Sequence, residues 1–200
     1  MKLLMSGFEP FDGLKENPSQ QMIDYLNSLD VKSLGFSVSQ FKGIVLPVSF
    51  SKSFSILKSE IDAFHPDFVI CMGLAYNRSE ITLERVAINI IDAEIPDNEG
   101  IQPKNKIILE NESDGLFSPL PLNNMLMASR NVGVQASISN TAGTYTCNAL
   151  LFEVLSYGKL KKCSAGFIHL PPTPEIKPQG PFLDFQKQTQ SILAMISAIV

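Results

Sequence analysis

Residues 135–160 read QASISNTAGTYTCNALLFEVLSYGKL, and the fold turns on how they are parsed. Gln135 to Asn140 alternate in part and predict a short strand. A turn of small residues through Gly143 leads to Cys147. From Asn148 to Leu160 the apolar residues Leu150, Leu151, Val154 and Leu155 fall at helical spacing, so an amphipathic helix is expected. Strand, sharp turn and helix place Cys147 at a helix start. Orphan N–H groups and the positive end of the helix dipole favour an anion there, so the thiolate is the expected form. A small residue buried at a helix start is the competing explanation, and the rest of the chain has to decide between them.

Outward from that stretch the alternation repeats. Lys2–Phe8 is an unbroken apolar strand, as in a sheet covered on both faces, and it ends in a loop, residues 7–13, that holds Phe8 and Phe11 between turn formers. Asn17-Pro18 caps a helix running to about Leu29. Phe36 to Val48 carries strand signals, interrupted near Lys42-Gly43. Phe50 to Phe64 is helical by period, Phe68–Met72 is a compact strand, and Ile81–Ile91 reads as one further strand. A polar stretch from Asp92 to about Ser118 follows, long enough to have a job or its own hairpin, with Lys106–Leu109 as one arm. Pro121 opens a helix to about Asn131. After the Cys147 helix come a strand at Ser164–Leu170 and a final helix from about Pro181. The pattern predicts an α/β sandwich around a mostly parallel sheet, with ligand sites at the carboxyl ends of strands.

Two hundred residues with 44% hydrophobic content suit one core, and residues 1–200 are taken as one domain. The net charge of −4, with no basic run denser than Lys159–Lys162, argues against a nucleic-acid partner. The N-terminal apolar run is too short for a signal peptide, and Ile192–Val200 is far short of a membrane span. Three cysteines without close pairing fit a reducing cytoplasm.

With two histidines and three cysteines, a nucleophile–base pair can be sought by elimination. Cys71 lies inside an apolar strand. Cys163 and His65 both precede strands and belong on the opposite sheet edge. Cys147 and His169, at the carboxyl end of its strand, remain. Such a pair needs a third group to hold the imidazole. Glu84 leads, because a carboxylate inside an apolar run must find a partner, although an outward-facing pair with Arg85 would also satisfy it. Asp97 is held in reserve. No His-Glu-x-x-His or Cys-x-x-Cys appears, so metal binding is disfavoured.

Six motifs now stand in order: Gly7-Phe8-x-Pro10-Phe11, Asn17-Pro18-Ser19, Glu84-Arg85-Val86-Ala87-x-Asn89, Ile95-Pro96-Asp97-Asn98-x-Gly100, Thr141-Ala142-Gly143-Thr144-x-x-Cys147-Asn148 and Gly166-Phe167-Ile168-His169. Together, from about residue 3 to 175, they resemble the pyroglutamyl peptidase I family, also called pyrrolidone-carboxylate peptidases. The resemblance implies an α/β/α fold, commonly a homotetramer, and a cytosolic cysteine peptidase without cofactor. Such an enzyme removes an N-terminal pyroglutamyl residue through a thioester. It implies Glu84, Cys147 and His169 as catalytic residues, with backbone N–H groups at the helix start holding the oxyanion. It puts Phe8 and Phe11 around the lactam ring, with Tyr145 as a third candidate for the substrate pocket. A neutral pocket of this kind would exclude a free N-terminal glutamate, whose two charges would lose water unpaired.

The chain departs from the family pattern at several places. Glu94 stands where arginine is common, Leu74 where many members have glutamine, Val48 where threonine is frequent, and Tyr76-Asn77 precede Arg78 where two glycines are usual. Glu94 carries two alternatives. Pointing inward, it sets a negative charge near the thiolate. Pointing outward, with Lys104 or Lys106 as candidate partners, it leaves the backbone N–H groups to hold the oxyanion unaided. The inward case motivates a second reading of the whole chain, a binding protein with weakened catalysis. A different cysteine amidase on the same scaffold is a third.

Overall fold

The computed structural model describes residues 1–35 and 37–199, so Phe36 and Val200, the ends of two sequence runs read above, lie outside the described residues. Strand β1 (Lys2–Phe8) leads into helix α1 (Pro18–Ser28), whose Asn17 cap accepts from the Ser19 amide. A short 3₁₀ turn, Val31–Leu34, precedes β2 (Gln40–Leu46), which passes through Gly43 without the expected interruption. Then come α2 (Ser53–Phe64) and β3 (Phe68–Leu74).

The expected strand Ile81–Ile91 is two strands. β4 (Ile81–Glu84) belongs to the main sheet, whereas β5 (Val86–Ile88) pairs with β6 (Gly115–Phe117) in a separate two-stranded sheet. The apolar run continues through the break because both pieces bury residues, so hydrophobicity does not mark it. The polar stretch after it is tied down by the Ile91–Lys106 bridge. α3 (Leu122–Asn131), β7 (Ala136–Ser139), α4 (Thr146–Lys161), β8 (Ser164–Leu170) and α5 (Phe185–Ser197) complete the chain.

The main sheet has the order β2-β1-β3-β8-β4-β7. Neighbours run parallel except β8 and β4, so β4 and β7 oppose the other four strands. Alternate residues of each strand face opposite sides. Leu3, Met5, Ile70, Met72, Ile168 and Leu170 pack under α1, α3 and α5, while Leu4, Val69, Cys71 and Phe167 pack under α2 and α4. The result is one α/β domain of three layers, a mostly parallel sheet between two helical layers.

Helix α4 differs from the expected one-sided helix. Leu150, Leu151, Phe152, Val154 and Leu155 are all buried, because the main sheet, α2 and the β5–β6 pair each cover part of its circumference. Truncating Phe152 to alanine would remove about 3–5 kcal/mol. The nucleophile candidate therefore starts a helix with little freedom to shift. No helix is long and apolar enough to cross a membrane among the described residues.

Candidate active site

Glu84 ends β4 and is 0% exposed. Its Oε1 accepts from His169 Nδ1 at 2.8 Å, His169 being 5% exposed near the end of β8. An ionised carboxylate only accepts, so Nδ1 carries the proton and Nε2 keeps its lone pair. Burial by itself pushes the Glu84 carboxyl up. The hydrogen bond and charge of His169, then Ser139 and Arg78, outweigh it and hold the group below its ordinary value. Asp97, the reserve candidate, is used elsewhere: its carboxylate accepts from the amides of Phe50, Glu99 and Ile101 and braces a loop.

Cys147 is the second residue of α4, partly exposed, after Tyr145 as N-cap. The first helical bond runs from Ala149 N to Tyr145 O, which leaves the amides of Thr146, Cys147 and Asn148 without intrahelical partners. The route to this position is not the expected one. Ser139 and Phe167 both pair with Glu84, and β7 runs opposite to β8, so β7 ends away from the edge where β8 ends. A loop, residues 140–145, doubles back to bring the thiol beside Gly73, which pairs with His169. Gly143 supports this turn with φ 79°. Asn148 fixes the helix start from the other side, donating to the carbonyls of Ile88 and Ile90 and accepting from Ile88 N.

The expectation of a resting thiolate is corrected. Burial, with the negative charge of Glu84 and the neighbouring Cys71, pushes the Cys147 thiol up to about 12. Desolvation against Phe167 and the sheet exceeds what a single helix start offers an anion. Cys147 therefore rests as the thiol. Cys71 is buried and also pushed up to about 12, and Cys163 is buried.

Cys147 and His169 line one cavity of about 150 Å³, together with Phe8, Phe11, Tyr145, Leu74 and Val48. That is room for about five water volumes, the scale of one small ring. Phe8 is 2% exposed, and its amide donates to Ser19 Oγ. A Cβ on Gly7 would sit 2.2 Å from Ser19 O, so only glycine lets α1 approach β1 here. The Tyr145 ring packs 6.1 Å from Phe11 and edge-on to Phe50, and its hydroxyl donates to Pro96 O. Asn98 closes the same wall by donating to Glu9 Oε1 and Pro10 O. All six site residues read from sequence or resemblance thus meet at one cavity or directly behind it.

A wider cavity of about 700 Å³ adjoins the first through Phe11 and Tyr145, and Asp12, Asp92 and Glu94 line it. Glu94 is exposed there, outside the walls of the Cys147 cavity, and makes no ion pair with Lys104 or Lys106; Lys104 reaches Asp92 instead. Of the two alternatives for Glu94 the outward one holds, without either lysine as its partner. Sequence reasoning named Arg78 only as the residue after two replaced glycines and gave it no role, yet it touches the carboxylate that holds His169. The available signals were that the arginine stayed where the two preceding glycines changed, and that it is a cation six residues before Glu84.

A family model described as pyroglutamyl peptidase matches residues 1–200. The pyrrolidone-carboxylate peptidase of Thermosipho africanus is 40% identical, covering all of this chain and 97% of that protein. That of Erwinia tasmaniensis is 37% identical, covering 99% and 91%. The crystal structure of Bacillus amyloliquefaciens pyroglutamyl peptidase I superposes with a TM-score of 0.92 at 32% identity, covering 99% of this chain and 96% of that one. The Thermococcus litoralis pyrrolidone carboxyl peptidase also gives 0.92, at 35% identity, covering 99% and 92%.

Proposed function

The chain belongs to the pyroglutamyl peptidase family, and on that premise we propose that it is a cysteine peptidase removing N-terminal pyroglutamyl residues from peptides, with Cys147, His169 and Glu84 as its catalytic residues. One observation carries the assignment of residues. Cys147 and His169 line the same small, mostly apolar cavity, and buried Glu84 fixes the imidazole from behind. A neutral lactam suits such walls, between Phe8, Phe11 and Tyr145, better than a charged terminus does.

The chemistry follows from a resting thiol. As Cys147 Sγ attacks the carbonyl carbon after the lactam ring, its proton passes to His169 Nε2, so no free thiolate need accumulate. The imidazolium that forms lies against ionised Glu84. Charge on the carbonyl oxygen is met by the unpaired amides at the start of α4. His169 returns the proton to the departing amine, the C–N bond breaks, and a thioester remains. Water, deprotonated by His169, hydrolyses it to free pyroglutamate and restores the thiol.

Residues 1–200 act in this reading as one catalytic domain. The three free thiols support a reducing, cytoplasmic setting, and exposed Phe117 and Ile107 offer apolar surface to further copies in a homotetramer. Glu94, lying outside the catalytic cavity, gives no support to a purely binding role. Incubation with pyroglutamyl-aminomethylcoumarin tests the proposal. Release of fluorophore by the native chain, and its loss in a folded Cys147→Ala variant, is expected. A folded native chain that releases none refutes it.

A further inference from the structure

Arg78 lies in the turn before β4, its side chain 29% exposed, at a junction of three elements. Nη1 donates to Glu84 Oε1 at 2.6 Å, the same oxygen that takes His169 Nδ1, and also to Thr82 Oγ1. Nη2 donates to the carbonyl of Thr141 at 3.0 Å and to Ser139 Oγ at 3.4 Å. Ser139 Oγ in turn donates to Thr141 O and accepts from Thr141 N, at the start of the loop that returns the chain to Cys147. Among the described residues only Arg78 and His169 come within ion-pair distance of Glu84, whose Oε2 is buried without a partner.

One planar fork therefore ties the carboxylate behind the base to the loop that carries the nucleophile. Lysine could supply the charge but not both arms at once. We propose that Arg78 is a positioning residue of the peptidase reaction, acting through Glu84 on His169 and through Thr141 on the seat of Cys147. This rests on the catalytic reading given above.

The electrostatic direction can be worked out. The titratable and charged groups around the imidazole are Glu84 from β4, Arg78 from its turn, Cys147 from α4 and Cys71 from β3, with Glu80 on the outer hollow beside Arg78. Without the guanidinium, the whole charge of Glu84 faces His169 and the imidazolium is favoured. The carboxylate, left with one partner, also takes up a proton more readily. Both effects move the acidic limb of kcat/KM to higher pH. Losing the cation also disfavours the Cys147 thiolate.

The test compares native protein, R78M and R78K. R78M is expected to lower kcat on the order of tenfold to a hundredfold, with KM changed less than about threefold, and to move the acidic limb up by roughly one pH unit. Iodoacetamide modification of Cys147 at pH 9, followed by peptide mapping, should slow as well, a readout independent of turnover. R78K should restore the limb and recover kcat only in part. A limb, kcat and alkylation rate unchanged in R78M overturn the proposal, even where its melting temperature falls. Where R78M does not fold, R78K with native kcat overturns it. A native chain inactive on the substrate while the alkylation rates still separate the variants condemns the peptidase reading and leaves the Arg78 coupling standing.

Discussion

Gly73→Ala adds one methyl group at the point where the thiol rests on the sheet. A Cβ there would lie 2.9 Å from Cys147 Sγ and 2.9 Å from Phe167 Cζ, at least half an ångström inside ordinary contact. Both neighbours belong to the reacting geometry, because the Phe167 ring packs 4.8 Å from the imidazole of His169. Either the sulfur retreats or the ring beneath the base does. Overpacking of this kind costs about 1–3 kcal/mol, which for a chain of this size lowers Tm by roughly 2–12 °C. A shift of half to one ångström at the attacking atom lowers kcat by about tenfold to a hundredfold. KM should change much less, since the walls formed by Phe8, Phe11 and Tyr145 are not touched. Steady-state kinetics on a pyroglutamyl-coumarin substrate, run well below the melting transition, give both constants. A folded variant with kcat within about twofold of native would show that the thiol is not wedged against Gly73.

Glu84→Gln keeps the shape but removes the charge that accepts the Nδ1 proton, so kcat should fall on the order of a thousandfold; a loss under tenfold would remove Glu84 from the reaction. The acidic lining of the wider cavity, Asp12, Asp92 and Glu94, should favour pyroglutamyl-lysine over pyroglutamyl-glutamate by about twofold to fivefold in kcat/KM at low salt. Glu94→Gln should narrow that ratio, and equal rates on the two native-enzyme substrates would sink the idea. Glu153, in a hollow with Ile91, Ile108 and Ala149, is pushed up by burial to about 7. Its folded value lies above the unfolded one, so stability present below pH 4.5 is lost as pH rises through 7. Glu153→Gln should then gain about 3 kcal/mol at pH 8 and almost nothing at pH 4, read from urea midpoints; an equal gain at both would contradict the burial account.

The elements whose ends carry chemical punctuation were legible. Asn17-Pro18 marks the start of α1, and the apolar runs of β1, β3 and β8 have the bounds expected or extend only slightly beyond them. The break after Glu84 was hidden, because β4 buries all four of its residues and β5 buries Ala87, although the two belong to different sheets. Strand direction was hidden too. Nothing in Ile81–Glu84 records that it runs against β8, since polarity is set by long-range pairing rather than by composition. Cys147 and His169 were paired on the assumption that β7 and β8 end at a common edge. They meet because the loop after β7 returns, a path that the small residues Thr141 to Thr144 permit but do not specify. Arg78 was named but given no role, because a cation in a surface turn has an ordinary explanation until its partner is seen to be buried.

The place of β8 in the sheet has a consequence for how the chain becomes a folded molecule. β2, β1 and β3 form one half-sheet and β4 and β7 another, and the strand between them is the last in sequence. Both halves leave the ribosome before Ser164, each with an edge awaiting the same partner. The edge offered by β3, Phe68–Leu74, is almost wholly apolar, so a chain truncated before Ser164 is prone to associate through it. Insertion of β8 closes contacts far apart in sequence and should be the slow step of refolding. Because His169 arrives on that same strand, peptidase activity should return with the final kinetic phase and not with early recovery of helical signal.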